Sequence, residues 1–586
     1  MKKNIKDKQL VFGSISVIVT LAILIFAVLT SKGQWKTLFG ESQETDQNSL
    51  GSTNNATDDT SNDFSKILND ANKQLRLQEE VDQSILTELK TGVYTFEKPL
   101  IIVDPYNISP LTALVVFTTS EPVNISIIVH GHDKYSDISY TFEGFGVNHI
   151  IPVYGLYPKV ENNVTLSSNS RSGKTDVLQL LIKTEPLPKE LEDQKILTDA
   201  PFKNKYQPGL NFTYDYGLTI QKTSFDMYGN MRWFLNRTYL PATDYEFGNR
   251  YILAMGAAEF GDVLFFETNP LGRIYKIMYA PYGVHHDIEE IYGNLIITGS
   301  NKKTVEDFIY EIDTKNGKII NTLDLKSIFQ RTRQAGLVPA DVPDWFHLNA
   351  ITWVEGTENI IISSRSQSLV AEIGWPHGKI EWMLAPHYGW LPMFDKYLLA
   401  PKSEMFDWQF NQHSPEVLPD LDDDPNTMDI LLFDNGNQRF EKDVIKKITD
   451  AENPEGFSRM VQFRINPQEM TVEQIWQFGQ EYGAYFYSPS HGDADLLPNG
   501  NRLGVFDIAE SAPGENKQNG TFFEVTDQSQ IVWSGQTYSL NANGNQSEYG
   551  LERMNIYNSD ANNLEIGMPV INLIPQEFFD KYAINK

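Results

Sequence analysis

The chain has 586 residues, and length alone predicts two to four domains, or fewer if one unit is a large all-β structure. Its 48 Lys and Arg residues face 77 Asp and Glu residues, and the net charge of -29 argues against nucleic acid or an anionic membrane surface as a partner. The sequence contains no cysteine, which excludes disulfides, thiolate nucleophiles, Cys-ligated metal centres and lipidation of an N-terminal Cys.

The N-terminus predicts a membrane anchor. Residues 10–30 are uncharged and mostly apolar, about one bilayer of helix. Four lysines precede this stretch: Lys2, Lys3, Lys6 and Lys8. Because positive charge stays on the cytoplasmic side, residues 1–9 are predicted to be a cytoplasmic tail and the rest of the chain to lie outside. We therefore predict a single-pass protein of the cell membrane; a cleaved signal peptide and a secreted protein are the alternative.

Three segments of different character follow the anchor. Residues 31–62 are polar and predict a flexible linker. In residues 63–92 apolar side chains recur at helical spacing and Gly92 can end the helix, so this segment predicts one amphipathic helix. Residues 93–190 alternate β-branched and polar residues between turns, which predicts a small β-sandwich domain.

A hairpin of the form turn-Gly-x-apolar-x-Trp recurs from residue 191 to the C-terminus. The copies are "DMYGNMRWF", "NPLGRIYKI", "DTKNGKIINTL", "WPHGKIEWML" and, without the glycine, "NPQEMTVEQIW" and "TDQSQIVW". Their spacing suits a unit of four strands repeated around an axis, so residues 191–586 predict a six-bladed β-propeller and an all-β fold class. A long stacked sandwich with similar turns is the alternative.

A second repeat lies in phase with these hairpins. After four of them comes a histidine followed by a short strand, in "VHHDIEEIYGNLIITG", "FHLNAITWVEGTENIIIS", "QHSPEVLP" and "SHGDADLLPNG". Equivalent positions of successive blades converge on one central pocket. We therefore expect His347, His413, His491 and one histidine of the "HHDI" pair to meet there; the phase favours His286 over its neighbour His285.

Two further polar residues can face the same pocket. Arg365 follows His347 by about two strands and a turn of one blade, although a surface ion pair is the commoner fate of an arginine. Asn349 lies on the same strand face as His347, because side chains alternate with period two. Imidazoles with a guanidinium and an amide suit a tetrahedral oxyanion such as sulfate. A neutral histidine can also act as a nucleophile, and the same residue types could bind a metal.

In these motifs the sequence resembles the bacterial arylsulfate sulfotransferases. The segments that carry the resemblance are "DWFHLNAITW", "SSRSQS", "QHSPEVLP", "ILLFDNGNQR" and "HHDI", within a match from about residue 90 to the C-terminus. The resemblance implies a six-bladed propeller behind a small β-sandwich, usually paired as a homodimer. It also implies a ping-pong transfer of a sulfuryl group from a phenolic sulfate ester to a phenol, without PAPS or any cofactor.

The resemblance also implies roles for individual residues. It makes His413 the nucleophile that becomes sulfurylated, while His347, Arg365 and His286 hold the sulfuryl oxygens. The predicted substrate-binding residues are His285, Asn349 and His491, and His491 either assists the phenolic oxygen or lines the pocket. No metal ligand is predicted.

This chain departs from the periplasmic members in two respects. They have a removable signal peptide and a disulfide near the nucleophile, whereas this chain has an apparent anchor and no cysteine. The loop "DLDDDPNT" after His413 therefore has no covalent brace; its acidic run could bind Ca²⁺ but is more often a solvated loop.

Two other functions fit parts of the pattern. The first is a metal-dependent propeller lyase or hydrolase, in which three histidines and Asp287 or Asp493 bind a divalent ion. Arg365 argues against it, because a guanidinium is repelled by a dication. The second is a surface module that binds a ligand without catalysis, since propellers host many unrelated functions.

Overall fold

A computed structural model describes residues 60–586 except 216–220, 237–242, 248–249, 257–260, 302, 330–342, 438, 440–455, 508–517, 540–547, 583 and 585–586. The predicted cytoplasmic tail, the predicted anchor over residues 10–30 and almost all of the predicted linker lie outside the described residues. In the part of the chain that the structure describes, no helix is both long and apolar enough to cross a membrane.

A long helix, α1 (Thr60–Thr91), occupies the segment in which the sequence predicts one. Its apolar side chains, including Phe64, Leu68 and Ile85, are buried on one side, as the three-to-four-residue spacing requires. Gly92 follows the helix with φ of 64°, a left-handed conformation that glycine adopts without strain. The other helices are short: α2 (Lys189–Glu192), α3 (Leu325–Phe329) and α4 (Gln576–Lys581).

Six strands between residues 100 and 183 form one sheet around the long strand β2. The strands are β1 (Leu100–Val103), β2 (Ala113–Val129), β3 (Ile138–Thr141), β4 (Gly146–Val153), β5 (Glu161–Ser170) and β6 (Thr175–Lys183). The first part of β2 pairs with β1 and most of β4, its second part pairs with β3 and β5, and β6 pairs with β5. All six strands are therefore hydrogen-bonded into one antiparallel sheet.

Six more sheets of four or five strands follow within the described ranges. Their strands are β7 (Gln194–Asp199), β8 (Leu210–Asp215), β9 (Gln221–Phe225), β10 (Met231–Phe234), β11 (Thr243–Phe247), β12 (Arg250–Gly256), β13 (Val263–Thr268), β14 (Ile274–Ala280), β15 (Ile288–Ile291), β16 (Asn294–Gly299), β17 (Phe308–Asp313), β18 (Lys318–Asp324), β19 (Leu348–Val354), β20 (Asn359–Ser364), β21 (Leu369–Gly374), β22 (Lys379–Leu384), β23 (Ala400–Pro401), β24 (His413–Val417), β25 (Met428–Asp434), β26 (Arg459–Asn466), β27 (Thr471–Phe478), β28 (Asp493–Leu496), β29 (Arg502–Phe506), β30 (Gln518–Val525), β31 (Ile531–Ser539), β32 (Glu548–Met554) and β33 (Ile571–Asn572). The sheet orders are β10-β9-β8-β32, β11-β12-β13-β14-β33, β15-β16-β17-β18, β19-β20-β21-β22, β23-β27-β26-β25-β24 and β28-β29-β30-β31-β7.

Each of the six quoted turns joins two paired strands of a different sheet. The pairs are β9–β10, β13–β14, β17–β18, β21–β22, β26–β27 and β30–β31. One terminal strand of each sheet, here called the inner strand, contacts the inner strand of the next sheet, in the order β11, β15, β19, β24, β28 and β32. The fold is therefore mostly β and propeller-like.

The beginning and the end of this region are hydrogen-bonded together. Strand β7 completes the sheet of β28–β31, with Leu197 opposite Gln536. Strand β32 completes the sheet of β8–β10, with Glu552 opposite Phe212. The first strand of this region therefore completes a sheet of late strands, and a late strand completes a sheet of early ones.

Carboxylates at least partly withdrawn from solvent connect neighbouring inner strands. Asp287, just before β15, accepts a hydrogen bond of 2.8 Å from the backbone N–H of Ile351 on β19. Glu416 on β24 accepts one of 2.8 Å from Leu496 on β28. Asp493 on β28 makes the same kind of contact with β32. These bonds fix the relative positions of the strands that carry the site.

Candidate active site

Four of the predicted histidines stand at the beginning of four successive inner strands. His286 lies two residues before β15, His347 one residue before β19, and His491 two residues before β28, while His413 is the first residue of β24. Because these inner strands adjoin, their starting ends lie at one end of the bundle of strands.

In three of these sheets the residue after the second strand lies beside the histidine. In an antiparallel pair the end of one strand adjoins the start of its partner. His413 Nδ1 lies 2.7 Å from Oδ1 of Asn435, which follows β25. His491 Nδ1 lies 2.9 Å from Oδ2 of Asp507, which follows β29. Arg365, which follows β20, takes the same position in the His347 sheet and donates its backbone N–H to the His347 carbonyl.

His413 is held in one tautomer by an amide. The Asn435 NH₂ donates to the carbonyls of Ser488 and His491, at 2.7 and 2.9 Å, so its Oδ1 must be the atom that faces His413. The His413 Nδ1 is then the donor, and its Nε2 has the lone pair. Burial, followed by the nearby Arg365 guanidinium, holds the pKa of His413 well below its ordinary value. This imidazole is neutral at neutral pH.

A carboxylate that sequence reasoning missed lies among the other histidines. Glu306 Oε1 lies 3.1 Å from His285 Nδ1 and 3.3 Å from His286 Nε2, and its Oε2 lies 3.0 Å from His347 Nδ1. Burial raises the pKa of Glu306, but the three imidazoles outweigh it and hold the pKa well below its ordinary value. Glu306 is therefore ionised, and it binds His285, His286 and His347 together.

His286 and His347 differ in charge although their ring centroids are only 4.9 Å apart. Burial lowers the pKa of His286, even beside Glu306. For His347 burial also favours the neutral form, but Asp344 Oδ2, 2.7 Å from Nδ1, and Glu306 together raise its pKa to about 9. His347 is therefore a cation at neutral pH and His286 a neutral imidazole.

Tyr549 was also missed, and it connects three of the histidines. Its hydroxyl lies 3.1 Å from His286 Nδ1. Its ring centroid lies 5.9 Å from that of His413 and 5.2 Å from that of His491. Tyr549 lies on β32, whose segment has no copy of the histidine repeat, so no sequence signal marked it.

The remaining predicted residues lie at the edges of this cluster. Arg365 donates from Nη2 to the Pro489 carbonyl at 3.1 Å, and its charge acts on His413. The Asn349 NH₂ donates 2.8 Å to the backbone carbonyl of Gln412, the residue before the nucleophile candidate. All seven predicted site residues therefore lie in one cluster, but Asn349 supports a neighbouring strand with its amide N–H.

Three of the clustered residues have a left-handed backbone. The φ angles of His286, Glu306 and His347 are 53°, 54° and 54°. Non-glycine residues rarely adopt this region, and such strain is typical of functional sites.

The same three residues could hold a metal ion. One donor atom from each of His286, Glu306 and His347 lies within 4.8 Å of the other two. Two imidazoles and a carboxylate are a ligand set that suits Zn²⁺ and related divalent cations.

Comparison with known protein families identifies the family of the chain that carries this histidine cluster. The family model described as Arylsulfotransferase (ASST) matches residues 197–549, more than half of the chain and the whole of the cluster. The chain belongs to the arylsulfotransferase family. A second model, described as Arylsulfotransferase Ig-like domain, matches residues 100–185, the range of the N-terminal sheet of this arylsulfotransferase.

Two curated relatives support the same assignment. This arylsulfotransferase is 25% identical over 503 residues to the arylsulfate sulfotransferase AssT of Lelliottia amnigena, covering 66% of this chain and 81% of that protein. It is 24% identical over 542 residues to the protein of the same name from Escherichia coli O6:H1, covering 71% and 87%. The chain is therefore a sulfotransferase, an enzyme that acts on aryl sulfates.

The similar solved structures do not help to assign the fold or the function. A putative 6-phosphogluconolactonase from Bacteroides fragilis overlaps 75% of this arylsulfotransferase and 99% of its own chain, at 8% identity. The TM-score is 0.31, too low to support a conclusion about fold or function.

Proposed function

We propose that this arylsulfotransferase transfers a sulfuryl group from a phenolic sulfate ester to a phenol in a ping-pong cycle, without PAPS, through a sulfurylated His413. The observation that carries the proposal is the 2.7 Å contact between His413 Nδ1 and the Asn435 amide oxygen. It leaves a lone pair on Nε2 of a neutral imidazole, which is the form that attacks sulfur.

Two cations near the nucleophile hold the sulfuryl oxygens. The Arg365 guanidinium offers forked donors that match paired oxygens. Its positive charge lowers the pKa of His413. His347 is cationic because two carboxylates face it. Neutral His286 can add a single donor, because a neutral imidazole has one N–H group.

The cycle has two half-reactions. In the first, His413 Nε2 forms a bond to sulfur while the S–O bond to the donor phenol breaks and the aryloxide leaves. In the second, the acceptor phenol attacks sulfur, its proton passes to a base of the site or to solvent, and the N–S bond breaks. Fixed positive charge around the sulfuryl oxygens favours the transition state of both.

We also propose a setting for the enzyme. Residues 10–30 anchor it in the cell membrane with the catalytic part outside, the six sheets of residues 194–572 are the blades of one propeller, and two chains pair as a homodimer. The continuous contact of the inner strands from β11 to β32 supports the propeller. The apolar N-terminal stretch supports the anchor.

The test is an assay with 4-nitrophenyl sulfate, with and without added phenol. Phenol-dependent release of nitrophenol supports transfer; release without an acceptor would indicate a sulfatase. Mass spectrometry of donor-treated enzyme should find a sulfuryl adduct on a His413 peptide. His413→Ala should abolish both signals, whereas His377→Ala, an exposed histidine in the turn between β21 and β22, should leave them unchanged. An adduct on another residue would disprove the assignment.

A metal-dependent enzyme is the second candidate, because the donor atoms of His286, Glu306 and His347 are close enough to bind one cation. Exhaustive chelation separates the two. Loss of activity that returns with added Zn²⁺ supports the metal enzyme, and unchanged activity supports transfer through histidine alone.

A further inference from the structure

We propose that His491 is the general acid and base of the reaction and that Asp507 is its positioning residue. This inference rests on the proposed function, because it supplies the proton transfers that the two half-reactions need. The geometry that points to it is a histidine–carboxylate dyad beside the nucleophile.

The dyad has the geometry of a catalytic acid–base pair. Asp507 Oδ2 lies 2.9 Å from His491 Nδ1, and the side chain of Asp507 is 2% exposed. Asp507 is itself fixed, since its backbone N–H donates to Ser488 Oγ and its Oδ1 accepts from the Glu548 backbone N–H. A carboxylate in this position keeps the proton on Nδ1, aims Nε2 away from itself and stabilises the imidazolium that forms.

The dyad is also joined to the nucleophile. The Asn435 amide faces His413 Nδ1 with its oxygen and donates to the His491 carbonyl with its nitrogen. The Tyr549 ring contacts both imidazoles. A phenolic oxygen leaving sulfur at His413 therefore separates next to His491.

His491 is more exposed than the proposed nucleophile. Its side chain is 21% exposed, whereas His413 is 1% exposed. A general acid and base must exchange its proton with solvent or with an arriving phenol, and His491 is accessible to both. His347 has two carboxylates at Nδ1, and His286 faces Tyr549 and Glu306, so their surroundings differ from the pairing of His491 with Asp507.

The proton balance is complete. In the first half-reaction His491 starts as the imidazolium: His413 Nε2 bonds to sulfur, the S–O bond breaks, and His491 gives its Nε2 proton to the leaving aryloxide and becomes neutral. In the second the acceptor phenol gives its proton to His491 Nε2 as its oxygen bonds to sulfur and the N–S bond breaks. One aryl sulfate and one phenol are consumed, one of each is formed, and His491 returns to its starting state.

The test compares donors whose phenols differ in acidity. A strongly acidic phenol such as 4-nitrophenol leaves without help, while unsubstituted phenol needs a proton. We expect His491→Gln to lower the rate of the first half-reaction about 10²–10⁴-fold with phenyl sulfate but less than about tenfold with 4-nitrophenyl sulfate. Asp507→Asn should show the same donor dependence to a smaller extent, and added imidazole should partly restore His491→Gln. His377→Gln, on an exposed residue, should match the wild type with both donors.

Two results would overturn the proposal. The first is an equal fold loss with both donors, or no loss with either, in His491→Gln that keeps the wild-type melting temperature. The second is donor dependence that appears in Tyr549→Phe and not in His491→Gln, which would give the proton transfer to Tyr549. The His413 adduct formed from 4-nitrophenyl sulfate is measured in the same samples: its presence in the wild type shows that the nucleophile assignment stands whatever the dyad does.

Discussion

Three of the clustered histidines differ in the group that faces Nδ1. His413 faces an amide, His491 one carboxylate, and His347 two carboxylates. Beside its amide His413 stays neutral, whereas the two carboxylates at His347 favour the protonated form of that imidazole. The three histidines therefore differ in chemistry because different residues face them. Asn435 and Asp507 follow the second strand of their sheets, and Asp344 lies in the loop before β19.

Asn435→Asp tests why His413, the proposed nucleophile, is neutral. A carboxylate at this position should raise the pKa of His413, so that more of it is protonated at a given pH. The acidic limb of the pH–rate profile should move to higher pH by about 1–3 units, and activity should return in alkaline buffer. Asn426→Asp, in an exposed loop, is the control. A profile that does not move would show that Asn435 does not set the protonation of His413.

Glu306→Gln tests whether the His347 cation holds the sulfuryl group, as proposed. Removing this carboxylate should lower the pKa of His347 from about 9, so the imidazolium is lost at a lower pH. The alkaline limb of kcat/KM should move to lower pH by about 1 unit, with a higher KM for the donor. Glu290→Gln, on the exposed side of β15, should change neither. Equal profiles for the wild type and Glu306→Gln would contradict this role.

The sequence predicted the histidines because they recur in phase. Glu306 and Tyr549 belong to no repeated motif quoted above, so the repeats could not mark them. Asn435 and Asp507 did have a signal, since each follows the second strand of its sheet, as Arg365 does. Aligning the second strands as well as the first would have found both.

At the scale of elements, the inner strands are joined by carboxylates whose burial opposes ionisation. Burial raises the pKa of Asp287 to about 6 although it accepts backbone hydrogen bonds. The folded state therefore binds this proton more tightly than the unfolded state does. The stability that Asp287 contributes is complete below the pKa of the unfolded chain and is lost as the pH rises through about 6.

Asp287→Asn should remove this pH dependence, because an amide accepts the Ile351 hydrogen bond without ionising. Between pH 5 and pH 8 the wild type should lose about 1–2 kcal/mol of unfolding free energy that the variant does not lose. Urea unfolding at the two pH values measures the difference, and Asp423→Asn, on an exposed loop, is the control. A variant that follows the wild type at both pH values would contradict the prediction.

The hairpins and the helix could be predicted from sequence because their signals are local. Turn residues and helical spacing mark them within a dozen positions. The pairing of β7 with β31 and of β8 with β32 depends on residues more than 300 positions apart, and no short pattern encodes it. The pairing of the two parts of β2 with different strands could not be predicted from a short sequence pattern either.

At the scale of the whole molecule, the two ends of the described chain also meet in one apolar contact. Phe578 on α4 is 1% exposed and stacks edge-on against Phe64 of α1, with ring centroids 5.2 Å apart. It also contacts Tyr279 at the same distance. The C-terminal helix therefore packs on the first helix and on one of the six sheets.

Phe578→Ala should destabilise the enzyme by about 3–5 kcal/mol, because it leaves a cavity between α1, α4 and β14. Chemical unfolding measures the loss. Phe145→Ala, on a residue that is 44% exposed, should cost less than about 1 kcal/mol. Similar losses for the two variants would show that the contact of the chain ends does not stabilise the fold.

The position of Tyr549 on β32 has a consequence for synthesis. A nascent polypeptide that has left the ribosome only as far as residue 547 contains every histidine of the cluster, but neither this tyrosine nor the strand that completes the sheet of β8. Such an intermediate cannot assemble the whole cluster, so we expect activity only after β32 has been made.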